Sequence, residues 1–145
     1  EEDVNYLILE ENNKDIGVAK VLAKDSNIDL LLCELPKKYT IKEYVELGEK
    51  EPEVNTEIDI IGNPAGFEDY ISSGYIYSYN GNDMIIAETS IYFGNSGGGV
   101  FYKNKLVGIV TSMYCYNSKG IPFRVGPAVR LDVIKNFLEK YEQKN

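Results

Sequence analysis

The segment Gly94-Asn95-Ser96-Gly97-Gly98-Gly99, running into Val100-Phe101, is the part of the chain best suited to chemistry. A serine nucleophile must sit on a tight turn that exposes its hydroxyl. Backbone N–H groups of the same turn must converge on the carbonyl oxygen that becomes negative in the transition state. Glycines permit the dihedrals such a turn needs and let a substrate backbone approach. Ser96 is therefore the candidate nucleophile, and the N–H groups of Gly94 and Ser96, with Asn95 beside them, are the candidate oxyanion hole. The plainer alternative is a glycine-rich turn holding an ordinary serine. Asp29 opens the apolar run Leu30-Leu31-Leu32, where taken alone it reads as a turn cap. The chain contains no histidine, the side chain most used for general acid–base work near neutral pH.

The elements that must position these residues read as strand after strand. Val4–Glu10 alternates at period two, Asn12-Asn13-Lys14-Asp15 turns, and Ile16–Lys24 returns as a hairpin arm. Ile28–Leu35 is an apolar run too short for a helix. Residues 36–52 are polar and charged and read as a crossing connector, a solvated loop with a short helix. Strands resume at Glu57–Gly62, Tyr70–Tyr79 and Met84–Thr89, the last two joined by the tight turn Asn80-Gly81-Asn82. Val100–Tyr102 and Lys105–Ser112 make a hairpin about Lys103-Asn104, and Val125–Val129 is the last strand. Leu131–Tyr141 has helical spacing, with Leu131, Ile134, Phe137 and Leu138 on one face and Asp132 in the first turn. This predicts an all-β sandwich or barrel with a C-terminal helix. Tyr75, Tyr77 and Tyr79 alternate along one strand, which predicts an aromatic face that packs.

The formal net charge of −8 argues against nucleic acid or an anionic membrane as a main partner, since both need clustered Lys and Arg. No apolar run reaches the roughly 18–20 residues of a membrane span. Two cysteines, Cys33 and Cys115, are too few for a disulfide scaffold and leave the compartment undecided. No metal-ligand spacing, phosphate loop or dinucleotide fingerprint occurs, so neither metal nor cofactor is expected.

Several segments together resemble the trypsin-like serine proteases, most closely the HtrA/DegP-type and V8-type branches. Gly94–Gly99 resembles their nucleophile loop, and Asp25–Leu32 their aspartate segment. Ile61-Gly62-Asn63-Pro64-Ala65-Gly66-Phe67 and Ser73-Gly74-Tyr75-Ile76 resemble consecutive segments of the HtrA branch. Leu106-Val107-Gly108-Ile109-Val110 resembles the strand beside the specificity pocket, and Ala128–Lys135 the last strand and its helix. The resemblance implies a double β-barrel with an incomplete first barrel. It divides the single domain into a partial N-terminal barrel (1–35), a connector (36–56), a C-terminal barrel (57–130) and a helical tail (131–145). It implies a serine endopeptidase acting on polypeptides, with Ser96 and Asp29 as two members of a triad.

The same resemblance places the histidine shortly before Glu1. A barrel lacking its first strands has open edges, so the expectation is an N-terminal portion that has been removed, is disordered, or is supplied as a separate polypeptide. The chain alone is then expected to be nearly inactive. The alternatives are a catalytically dead module that grips an extended peptide and a fragment that completes a partner's barrel. The resemblance implies a pocket with Ser90 and Ile91 on one wall, Val110, Thr111 and Ser112 on a second, and Gly126-Pro127-Ala128 on a third. No carboxylate stands at its base. Arg124 and Arg130 flank it with unknown direction, and Arg130 reads most simply as a surface residue. The Phe93–Gly94 peptide is the expected hinge of the oxyanion loop, resting in its off orientation or in no fixed one.

Overall fold

The computed structural model describes residues 5–11, 14–62, 70–88, 97–112 and 114–144. The chain divides into two compact units, Glu1–Tyr44 and Val45–Asn145. The first is an antiparallel sheet of β1 (Tyr6–Glu11), β2 (Lys14–Asp25) and β3 (Leu30–Glu34), in the order β1-β2-β3. Ala19 and Leu30 are its buried members. A register shift between Leu9 and Glu10 bends the first hairpin. Gly17, at φ 125°, follows that shift, and a Cβ there would meet the Pro36 ring at 2.8 Å.

The second unit holds β4 (Glu57–Gly62), β5 (Tyr70–Asn80), β6 (Asp83–Glu88), β7 (Gly99–Tyr102), β8 (Lys105–Val110), β9 (Tyr114–Ser118), β10 (Ile121–Arg130) and the helix α1 (Leu131–Lys144). The sheet order is β6-β5-β4-β7-β8-β10-β9, and β6 also pairs with β10. That pairing closes a six-stranded barrel, with β9 as an extra strand along β10. Strand β4 shows why the sequence does this: Glu57 and Asp59 are exposed while Ile58 and Ile60, alternating with them, are buried. The barrel core is Ile58, Ile60, Ile76, Met84, Ile86, Val100, Val107, Val110 and Ala128, and Leu131 joins it from the helix. Each large aliphatic buried here contributes about 1.5–3 kcal/mol. The architecture is all-β, with one open sheet, one closed barrel and a C-terminal helix, as a trypsin-like double barrel with an incomplete first barrel requires.

Several local expectations needed correction. Strand β9 went unread and β10 begins four residues before the expected Val125. The hairpin between them turns on Lys119 and Gly120, both at positive φ (53° and 81°), and the Gly120 N–H donates to Asn117 Oδ1 at 3.0 Å. No helix occurs within residues 36–56. Instead the connector enters the barrel's hydrogen bonding, with Leu106 N–H donating to Glu46 O and Gly48 N–H to Leu106 O, each at 2.9 Å. The tyrosine stripe is broken as well. A bulge between Ile76 and Ser78 reverses the alternation, so Tyr79 packs on the core while Tyr75 and Tyr77 stay exposed.

Arg130 is a clamp within this unit and no simple surface residue. Its guanidinium makes a bidentate pair with Glu51, at 2.6 and 2.8 Å. It also donates to Gly81 O at 3.1 Å and lies 4.3 Å from the Tyr79 ring centroid. The Tyr79 hydroxyl donates to Pro52 O at 2.6 Å. Burial, reinforced by the Glu51 charge, pushes the Tyr79 phenol up to about 12. The hydrogen bond from Arg130 lowers the Glu51 pKa, against the opposing effect of burial. A carboxyl with a lowered folded-state pKa stabilises fully above its unfolded value, and that contribution is lost as pH falls. Urea unfolding should therefore show wild-type stability declining below the ordinary glutamate value of 4.5, with Glu51→Gln less stable at neutral pH and flatter on the acid side. Asp132 titrates the opposite way, its pKa raised by desolvation and by its hydrogen bond with Glu51, which offsets part of that loss on the acid side.

Candidate active site

The exit of the glycine-rich loop is tied to the barrel. Gly97 N–H donates to Val110 O at 2.7 Å, and Val110 N–H donates to Gly98 O at 2.9 Å. These bonds extend the β7–β8 ladder, in which Gly99 faces Ile109, by one step to the residue after Ser96. Gly97 sits at φ 82°, a conformation that L side chains rarely adopt. Gly99 has a different reason to be glycine, since an added Cβ would lie 2.6 Å from the Phe101 ring.

The next layer of the scaffold is β10. Val110 lies directly opposite Ala128. The Thr111 N–H and its Oγ1 hydroxyl both donate to Pro127 O, each at 3.1 Å. The structure thus brings Val110, Thr111, Pro127 and Ala128 together beside the loop exit. The side chains of Val110 and Ala128 are core members, while Thr111 and Ser112 are half-buried. Ser90, Ile91, Gly94, Asn95 and Ser96 lie outside the described residues, as does the Phe93–Gly94 hinge.

Asp29 belongs to the first unit. It ends the turn that Asn27 N–H fixes by donating to Asp25 Oδ1 at 2.9 Å. Asp29 is exposed and takes φ 57°, immediately before buried Leu30. Asp and Asn tolerate this left-handed conformation better than other side chains. Asn55, Lys103, Asn104 and Lys119 take the same region at other turns.

Arg124 was left without a direction by the sequence. It is 1% exposed and falls on the same β10 row as Gly126 and Ala128, the row that faces the barrel interior. Its register partners are Glu88 on β6 and Cys115 on β9. An Arg four residues before Ala128 on a period-two strand was the available signal. Among the described residues no cluster of three or more His, Cys, Asp or Glu could hold a metal ion. No described helix is long and apolar enough to cross a membrane.

Comparison with known proteins bears on this arrangement. Residues 3–109 match the family model described as "Trypsin-like peptidase domain". The chain belongs to the trypsin-like peptidase family. It is similar to the "Probable serine protease do-like" of Buchnera aphidicola, 28% identical over 134 residues that cover 86% of this chain and 28% of the relative. It is also similar to the "Probable periplasmic serine endoprotease DegP-like" of Rhizobium meliloti, 28% identical over 133 residues, 83% of this chain and 26% of the relative. The trypsin-like chain thus spans about a quarter of the length of these curated relatives. The crystal structure of the serine endoprotease from Yersinia pestis shares the fold, with a TM-score of 0.72, 22% identity, and coverage of 96% of this chain and 49% of that one. The resemblance to the HtrA/DegP branch, read from the motifs, is shown by these relatives.

Proposed function

We propose that this chain supplies the nucleophile and the orienting carboxylate of a serine endopeptidase whose general base is a histidine from outside these 145 residues. The observation that carries the reading is the family match over residues 3–109, which spans both Asp29 and Ser96. Ser96 Oγ attacks the scissile carbonyl carbon while the histidine takes its proton. The N–H groups of Gly94 and Ser96, with Asn95 beside them, hold the resulting oxyanion. Collapse of this intermediate breaks the C–N bond, and the histidine returns the proton to the leaving amine. Water then attacks the acyl-serine by the same route and regenerates the enzyme. Asp29 holds the imidazole in position and stabilises its charged form.

The reaction needs no metal or cofactor. The test is to supply a histidine-bearing segment, in the same chain or as a second one, and to assay peptide hydrolysis. The reading requires activity only with a histidine present. Tight peptide binding without cleavage would favour the peptide-gripping module instead.

The pocket reading extends to specificity. Ile91, Val110 and Ala128 supply apolar walls, so cleavage should favour small or medium apolar residues at P1 over Lys, Arg or Glu. A peptide library digested by the active form and read by mass spectrometry measures this. Cleavage mainly after Lys or Arg would show the pocket to be misplaced, and cleavage after Asp or Glu would bring the Arg124 guanidinium into it.

A further inference from the structure

Strand β5 carries an exposed row that neither the core nor the proposed chemistry uses. Ile71, Tyr75 and Tyr77 are 62%, 41% and 61% exposed. Beside Tyr75 the surface dips into a hollow of about 360 Å³ lined by Asn55, Glu57, Ser73, Gly74 and Tyr75. All five belong to the barrel unit. Glu57 stands directly opposite Tyr75 on β4, and Asp59 stands opposite Ser73. Cross-strand partners share a face, so both carboxylates lie on the same outer surface as the tyrosine ring. Both are exposed, whereas Ile58 and Ile60 between and after them are buried.

The floor of the hollow is held in place. Asn55 N–H donates to Ile76 O at 2.7 Å and Ile76 N–H to Thr56 O at 3.0 Å. Asn55 itself takes φ 71°. These bonds seat the turn before β4 against β5, next to the Tyr75 backbone.

We infer that this hollow docks a Lys or Arg side chain of an extended basic polypeptide segment. An aromatic face attracts a cation through its quadrupole when the two lie within about 6 Å. A carboxylate beside that ring adds a direct ion pair, and the small residues Ser73 and Gly74 leave room for the aliphatic stem. Two carboxylates on one face also exclude an acidic ligand. A second copy of this chain, with net charge −8, meets like-charge repulsion there, and a nucleic acid backbone meets the same. The inference does not rest on the proposed catalytic function, because none of the five residues takes part in it.

The test uses the 145-residue chain and an acetylated, amidated hexapeptide of alternating Lys and Gly, with the Glu-Gly peptide as control. Amide NMR shifts report the site and the affinity. Shifts on adding the Lys peptide should concentrate at Asn55–Glu57 and Ser73–Tyr75 and weaken as salt screens the charges. Tyr75→Leu and Glu57→Gln should each raise Kd about five-fold or more, while Tyr75→Phe, which keeps the ring, should bind as wild type. Glu139→Gln, an exposed carboxylate on α1, should change nothing. Shifts centred elsewhere would overturn the inference. So would equal binding of the Glu peptide, wild-type affinity in Tyr75→Leu, or a Glu139→Gln effect as large as that of Glu57→Gln.

Discussion

Ser96→Ala should remove peptide hydrolysis from the histidine-supplied enzyme, lowering kcat by a factor on the order of a million. The size of the effect follows from the chemistry, because without the hydroxyl no acyl-serine can form and only binding and oxyanion contacts remain. The fold should survive the change. The neighbouring Gly97 is anchored through its own backbone N–H to Val110 O at 2.7 Å, a bond that does not involve the serine side chain. Thermal unfolding of the variant should therefore match wild type while burst-phase and steady-state assays fall to background. Activity persisting in Ser96→Ala would remove Ser96 from the role given to it.

Asp29→Asn should lower kcat by roughly ten-thousand-fold at neutral pH, because an amide can hold the imidazole only in the wrong tautomer. Asparagine is the informative substitution here. Asp29 sits at φ 57°, and asparagine tolerates that conformation, so stability should barely move. Alanine would confound the result by adding about 1–2 kcal/mol of backbone strain. Steady-state kinetics with a parallel melting curve separates the two effects. A fall in kcat tracking a fall in melting temperature would make Asp29 a turn residue and no more.

How far the molecule can be read from its sequence depends on how local each signal is. Strand β4 was legible because Glu57-Ile58-Asp59-Ile60 alternates cleanly. The Lys103-Asn104 hairpin was legible because two residues between apolar arms can turn a chain only tightly, and both adopt positive φ, 50° and 65°. The second hairpin was missed because Pro122 argues against a strand before Val125, yet β10 starts at Ile121 and accommodates it. Tyr79 was grouped with Tyr75 and Tyr77 because period-two reasoning assumes an unbroken ladder, and one bulged residue reverses every side chain after it. The role of Arg130 was hidden for another reason: its partner Glu51 lies 79 residues away in the chain.

The candidate site divides in the same manner. Ser96 sits in a short segment whose composition suggests its own chemistry, whereas Asp29 alone reads as a turn residue and takes its proposed role from the resemblance of the segments around it. The relation between them could not, because a triad is assembled from segments distant in the chain, and these 145 residues contain no histidine.

A fluorophosphonate probe with peptide mass mapping tests the central claim most directly, because it reports an activated serine without needing the right substrate. The account predicts a covalent adduct on Ser96 when the chain is joined by a histidine-bearing segment, and little or none on the chain alone. No adduct on Ser96 in the joined form, or equally fast labelling of Ser96 in the chain alone, would contradict it.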